Sequence, residues 1–337
     1  MRVVVTDRPF PKPNPYEGLL DKTDDIYGRV VEETGDEISY PECETEEETI
    51  KACRNADVII TFVAPITDRV LEAAGNVDLV IRQGAGYDNI DVQAATARGI
   101  PVSNVPDYGS ADVASHGLAL ALAASHSIVT ADQALRNSEG WGSSRVIEPI
   151  QGGTYGIVGL GRIGRRAVPM AKGLGMDVIA YDPLQDEDIF EHLDVESVSF
   201  EELLSRADCI TLHAVLNDQT YHMFSDEEFK QMKNSAILVN VARGPLVDET
   251  ALVNAIENDQ IRAAGLDVFE EEPPSNSSVL ECERIVCSPH HAGGSPKAKE
   301  KKIEIVRGEL KRVLRGETLH NVVNEEVFQH HQGLTHR

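Results

Sequence analysis

Residues 154–164 read Thr-Tyr-Gly-Ile-Val-Gly-Leu-Gly-Arg-Ile-Gly: an apolar run that breaks into Gly159-x-Gly161-x-x-Gly164 and continues as a helical pattern. Gly159 allows a tight turn out of a strand. Gly161 lets the main chain approach a phosphate closely, and Gly164 lets the following helix pack on the strand. A helix starting there offers unsatisfied N–H groups and the positive end of its dipole to an anion. The pattern predicts a strand–turn–helix unit that holds a dinucleotide's pyrophosphate, with Arg162 and Ile163 inside the turn.

The context strengthens this. The next apolar run, Val178-Ile179-Ala180-Tyr181, ends in Asp182, 18 residues beyond Gly164. A carboxylate there accepts hydrogen bonds from the adenosine ribose hydroxyls and repels a 2′-phosphate. Pro183 follows where a basic residue would welcome one. The expected cofactor is NAD rather than NADP.

Short apolar runs alternate with helical patterns along most of the 337 residues. Candidate strands are 3–6, 58–61, 79–82, 154–158, 177–181, 209–212, 236–239 and 263–266. Most are apolar throughout, as when both faces of a sheet are covered. Helical patterns between them (47–54, 162–174, 200–205, 249–258) predict an α/β protein with doubly wound parallel sheets. The length suits two domains. A Leu- and Ala-rich stretch, 110–127, reads as one long buried helix after the first βα set. Another, 297–315, has a pattern that folds back onto the first domain. The expected division is 1–103 with 291–337, and 104–290.

Asp and Glu number 56 against 31 Lys and Arg, a formal net charge of −25. Such a surface repels nucleic acid and anionic lipid. With only 11 lysines beside 20 arginines, the acidic excess fits a protein kept soluble in concentrated salt, as in a halophile. The five scattered cysteines form no CxxC, so neither a disulfide frame nor a zinc site is expected. The start, MRVVVTDRPF, reads as a strand without a signal-peptide core. No apolar stretch is long enough to span a bilayer. The expected location is the cytoplasm.

Three downstream segments carry candidate chemistry: Arg243 after an apolar strand, Asp267 to Glu272 after another, and Ser288-Pro289-His290-His291 after a short one. Ligands of open α/β sheets bind at such carboxyl ends. A guanidinium, a carboxylate and an imidazole beside a nicotinamide suit carbonyl–alcohol redox chemistry. The oxygen needs a proton donor and an anionic substrate needs a cationic clamp.

With Gly84-Ala85-Gly86-Tyr87-Asp88-Asn89-Ile90-Asp91 and Asn104-Val105-Pro106-Asp107-Tyr108-Gly109, these five motifs make the chain similar to the D-isomer-specific 2-hydroxyacid dehydrogenases over nearly its whole length. Within them it most resembles the branch that includes the C-terminal binding proteins. The resemblance implies a Rossmann NAD-binding domain and a discontinuous flavodoxin-like substrate domain. It also implies a homodimer, with Trp141 in the contact arm, and closure of the domains over a small 2-keto or D-2-hydroxy acid. His290 is implied as the acid/base, Glu272 as the carboxylate orienting it, and Arg243 as the group that binds and polarises the substrate. Asp267 matches a nicotinamide contact and Ala242 the backbone beside it. His213 and Thr220 fall near the cofactor wall. Ala85 and Gly86 match the loop holding the substrate carboxylate, and Arg82 an extra arginine of the C-terminal binding protein branch.

Some positions carry a second reading. Arg82 could pair with a surface acid, and Glu270 and Glu271 compete with Glu272. His291 reads as a packing or surface residue, His116 and His126 as interface or core histidines, and His330, His331 and His336 as part of a loose tail; no metal is expected. Val215 and Ser115 replace the family's usual proline and glutamate. Gly293-Gly294-Ser295 stands where C-terminal binding proteins carry a tryptophan. Two rival functions remain open: an NAD(H)-sensing binding protein of that type, and a 3-phosphoglycerate dehydrogenase. The latter requires a basic pocket, and around Arg82 the sequence shows no basic cluster, with Lys12 isolated.

Overall fold

The computed structural model describes residues 1–7, 27–137, 147–275 and 277–329. Lys12, Trp141, His330, His331 and His336 lie outside these. The chain divides into two compact units, Met1–Tyr108 with Pro296–Arg337, and Gly109–Ser295. Both crossings fall five residues beyond the expected positions (108 against 103, 295 against 290), and hydrogen bonds explain this. Asn104 N–H donates to Asn321 O at 3.1 Å and Val105 N–H to Gly84 O at 2.9 Å, which holds 104–105 in the first unit. His291 and Ala292 donate to Asp267, and Ser295 to Asp112, which holds 291–295 in the second.

The first unit has β1 (Arg2–Val5), β2 (Glu37–Ser39), β3 (Val58–Thr61), β4 (Leu79–Arg82) and β5 (Val102–Ser103), all parallel, in the order β2-β1-β3-β4-β5. Val4, Ile59 and Val80 point into one core, while Val3, Val5, Ile60 and Ile81 point into the other. This period of two on a sheet covered on both faces is why the strands read as unbroken apolar runs. Each fully buried side chain of this kind contributes roughly 1.5–3 kcal/mol. Helix Pro296–Arg315 returns to this unit and buries Val306 and Leu310 against Val3 and Ile81.

The second unit has β6 (Thr154–Val158), β7 (Asp177–Tyr181), β8 (Glu196–Ser197), β9 (Cys209–Leu212), β10 (Ile237–Asn240), β11 (Ala263–Leu266) and β12 (Ile285–Cys287). They form one parallel sheet, ordered β12-β11-β10-β9-β6-β7-β8. The long helix ends at Ser125, earlier than expected. Ser127 turns left-handed at φ 50° and a second helix, Ile128–Arg136, leaves at 60°. Helix Ser110–Ser125 packs on β11 at Gly265, where a Cβ would come within 2.7 Å of Leu120. Among the described residues no single helix is long and apolar enough to cross a membrane.

Candidate active site

In the second sheet the strand order reverses between β6 and β9, which opens a crevice at their carboxyl ends. Gly159 follows β6 with φ 93°, and a Cβ there would lie 2.7 Å from the His213 carbonyl carbon. The turn therefore needs glycine for its dihedral and for its approach to β9. At Gly164 a Cβ would collide with the Gly159 carbonyl oxygen, so the helix Gly164–Gly173 starts close against the turn. A Cβ on Gly161 would meet open space. The N–H groups of Gly161, Arg162 and Ile163 have no acceptor among the described residues; Arg162 is exposed and Ile163 half-buried.

Asp182 lies beside this turn. Its Oδ2 accepts the Leu160 N–H at 2.7 Å and its Oδ1 the Leu184 N–H at 3.0 Å. His213 shares Nε2 with the Thr211 hydroxyl at 3.1 Å, while its buried Nδ1 has no partner. Burial pulls this imidazole down to about 4, so it is neutral at physiological pH. Thr220 spends its hydroxyl locally, donating to Val215 O at 2.7 Å and accepting the Asn217 N–H at 2.9 Å.

Arg243 leaves the end of β10. The buried Asn240 side chain fixes this bend by donating to Arg243 O at 2.7 Å and accepting the Ala242 N–H at 3.1 Å. The guanidinium donates to Ala242 O at 2.8 Å. Gly244 is indispensable next to it, because a Cβ would collide with the Phe269–Glu270 main chain. That close approach brings the Arg243 turn to the segment that carries Glu272.

Glu272 Oε2 meets His290 Nδ1 at 2.7 Å, and Oε1 accepts the Phe269 N–H at 3.2 Å. Burial alone would raise the Glu272 carboxyl. The hydrogen bond and charge of His290, the Phe269 N–H and the Arg243 charge together outweigh burial and lower it. The competition among the three glutamates is thereby resolved in space: Glu270 instead accepts the Glu249 N–H at 3.0 Å and faces His222 at 3.1 Å.

His290 has φ 45°, a left-handed conformation costing a non-glycine residue about 1–3 kcal/mol. Asp267, 1% exposed, holds it there. The His290 N–H donates to Asp267 O at 2.7 Å, the His291 N–H to Oδ1 at 3.0 Å and the Ala292 N–H to Oδ2 at 2.9 Å. Ser288 Oγ donates to Oδ1 at 2.6 Å. These donors compensate the buried carboxylate. Asp267 is thus an anchor of the histidine turn, a role the sequence did not reveal. His116, expected as an interface or core histidine, stands beside this anchor: its Nε2 lies 2.8 Å from Ser288 Oγ, and its ring meets His291 edge-on at 5.1 Å. Burial lowers the His116 imidazole. Ligand-type atoms of His116, Asp267 and His291 lie within 4.8 Å of one another. Both Asp267 oxygens already accept hydrogen bonds, so the cluster supports the turn.

In the first unit Arg82 ends β4, with its guanidinium 5.1 Å from the Phe62 ring centroid and against the Gly84 Cα. Ala85 O accepts Asn104 Nδ2 at 2.7 Å. The Ala85 and Gly86 N–H groups have no acceptor among the described residues. The sequence expectation of no further basic residue near Arg82 is corrected here. Lys302 Nζ lies 4.6 Å from the same Phe62 ring, and Lys299 is buried one turn before it.

The family model for the D-isomer specific 2-hydroxyacid dehydrogenase, NAD binding domain, matches residues 118–292. The chain belongs to that family. A D-3-phosphoglycerate dehydrogenase of Methanocaldococcus jannaschii is 42% identical to this dehydrogenase-family chain over 300 residues, 88% of the chain and 57% of the relative. The chain thus spans little more than half of that protein's length. A glyoxylate reductase of Korarchaeum cryptofilum is 39% identical over 286 residues, 83% of this chain and 86% of the relative. Among solved structures, D-lactate dehydrogenase from Aquifex aeolicus, complexed with NAD and lactic acid, aligns with a TM-score of 0.82 at 25% identity, covering 94% of this chain and 96% of that one. A glyoxylate reductase from Paecilomyes thermophila gives 0.85 at 26% identity, with 97% and 99% covered. NAD is the cofactor of this family domain, and the crevice fits it. The bare Gly161 and the open N–H groups after it suit a pyrophosphate, and Asp182 has lone pairs left for ribose hydroxyls.

Proposed function

We propose that the protein interconverts a small 2-keto acid and a D-2-hydroxy acid, with His290 as acid/base. The observation that carries this reading is the 2.7 Å contact between His290 Nδ1 and Glu272. An ionised Glu272 accepts the Nδ1–H, orients the ring and leaves Nε2 for substrate. Bound NADH supplies the hydride for the carbonyl carbon.

In reduction, His290 donates its Nε2 proton to the carbonyl oxygen and becomes neutral; in oxidation it takes the hydroxyl proton. Glu272 stabilises the protonated ring. Arg243 pairs with the substrate carboxylate and polarises the carbonyl. Gly159, Gly161, Arg162, Ile163, Gly164 and Asp182 hold the cofactor, with His213, Thr220, Ala242 and Asp267 along the crevice. Arg82, Ala85 and Gly86 bind substrate from the first unit: two open N–H groups beside a guanidinium suit a carboxylate. The substrates named for the relatives, glyoxylate and 3-phosphoglycerate, are both 2-oxo or 2-hydroxy acids.

The test is NADH oxidation by the purified protein with glyoxylate, pyruvate, hydroxypyruvate and 3-phosphohydroxypyruvate, in low and high salt. Turnover of at least one, lost in His290→Asn, supports the reading. No turnover of any overturns it.

A further inference from the structure

We propose that Asp7 is a positioning residue for substrate binding: an anion built into the first unit that holds the loop after β3 and, through that loop, the Arg82 guanidinium. This rests on the reading above, in which Arg82, Ala85 and Gly86 bind the keto acid.

Asp7 lies just beyond β1 and is 7% exposed. A buried carboxylate is costly unless hydrogen bonds replace its water. Here three consecutive main-chain donors do so. The Phe62 N–H donates to Oδ1 at 2.6 Å, and the Val63 and Ala64 N–H groups donate to Oδ2 at 2.5 and 2.7 Å. The Thr6 hydroxyl adds a contact to Oδ1 at 3.2 Å. Successive N–H groups turned to one point form a concavity that suits an anion. In this loop the anion is the chain's own.

The loop stands where an open α/β sheet takes its ligand. In the order β2-β1-β3-β4-β5 the chain reverses between β1 and β3, and ligands of such sheets bind outside the carboxyl ends at that point. Asp7 comes from the first of these strands and residues 62–64 from the second. At the matching reversal in the second sheet, the N–H groups of residues 161–163 have no acceptor among the described residues. The first sheet therefore fills its reversal with a side chain, and the loop so fixed becomes a support for its neighbours.

The support reaches the substrate-binding residues by two routes. The Arg82 guanidinium lies over the Phe62 ring, 5.1 Å from its centroid, a separation at which the ring face attracts a cation. Ala64 O accepts Asn89 Nδ2 at 2.9 Å and the Thr61 hydroxyl at 2.9 Å, and Asn89 O accepts the Ile66 N–H at 2.8 Å. Asn89 lies five residues beyond Gly84, in the segment that carries Ala85 and Gly86. Releasing residues 62–64 from Asp7 thus frees both the ring beneath Arg82 and the carbonyl that ties Asn89. Asp7 acts on the substrate only through these neighbours.

The experiment measures KM and kcat for glyoxylate, pyruvate and hydroxypyruvate, with NADH affinity and Tm, in wild type, Asp7→Asn, Asp7→Ala and Phe62→Leu. Asp7→Asn keeps the shape and loses the charge. Asp7→Ala removes the carboxylate, and added formate supplies it again, with chloride at equal ionic strength as the control. Both Asp7 variants are expected to raise KM about 10–100-fold, the worth of one charge-assisted hydrogen bond, with kcat and NADH affinity retained. Phe62→Leu should raise KM in the same direction. Formate should lower the raised KM of Asp7→Ala and leave that of Phe62→Leu unchanged. An unchanged KM in both folded Asp7 variants, even with a lower Tm, overturns the proposal and leaves the dehydrogenase reading intact. A raised KM in Asp7→Ala that formate does not lower also overturns it. Hydrogen–deuterium exchange at residues 62–64, followed without substrate, is expected to be slow in wild type, faster in both Asp7 variants and slowed again by formate in Asp7→Ala. If no keto acid turns over, the dehydrogenase reading fails, and this exchange still decides whether Asp7 holds the loop: equal exchange in wild type and both variants overturns that.

Discussion

The carboxyl ends of the two sheets carry different kinds of polar group. The second presents main chain: the N–H groups of residues 161–163 have no acceptor among the described residues, and N–H groups surround Asp267. Its charged side chains are matched in place, Glu272 with His290. The first brings Arg82 and Lys302 to one aromatic ring, Phe62, with Lys299 one helical turn from Lys302. Main-chain donors impose a fixed geometry on a common group, while cations on long stems set preference by charge.

The contrast breaks most visibly at His290. His290→Asn is expected to cut turnover about 10²–10⁴-fold with NADH affinity retained by fluorescence titration. Wild-type turnover would end the acid–base assignment. Arg243→Ala should lower kcat/KM about 10–100-fold, read by steady-state kinetics as a rise in KM with a fall in kcat.

Glu272→Gln should reduce turnover about tenfold, or ~1.4 kcal/mol of barrier, because an amide no longer gives the His290 Nδ1–H a charged acceptor that orients the ring. It also tests linkage. The Glu272 carboxyl lies below its ordinary 4.5 in the folded protein. Its stabilisation is therefore complete above that value and lost as pH falls through the lowered one. The acid side of a Tm–pH curve should be flatter in the variant.

The smallest effects separate two glycines of one motif. Gly161→Ala adds a methyl in open space; it should weaken NADH severalfold with Tm unchanged. Gly164→Ala forces a Cβ onto the Gly159 carbonyl and should cost about 1–3 kcal/mol of stability, seen in thermal unfolding. Equal behaviour of the two would erase the division between ligand cradle and packing contact.

Much of the fold was legible because its signals are local. Strands 58–61, 79–82, 154–158, 177–181, 209–212 and 263–266 have the bounds that their apolar runs predicted. Helix 110–127 was read too long, since nothing in its composition marks Ser127 as the left-handed residue that ends it. Short β2, β5 and β8 gave no periodic signal at two or three residues each. In the site, the spacing of five from Asp267 and the Pro273 that follows favoured Glu272 over Glu270 and Glu271, but linear spacing could not show its 2.7 Å contact with His290. The Gly244 contact with Phe269 and the Asp267 cap orient that segment, and both are three-dimensional. Thr220, expected along the cofactor wall, has a hydroxyl committed to its own turn.

The sequence alone determined the two parallel α/β units, the glycine turn with its acidic partner, and the inventory of Arg243, Glu272 and His290. Each of these follows from hydrophobic period or from residues a few positions apart. Tertiary structure decided which carboxylate meets the imidazole, what pins the turn beneath it, and that Lys302 joins Arg82 from 220 residues away (302 − 82). Those outcomes depend on which helix face returns to which sheet, and linear spacing does not encode distance across a folded chain.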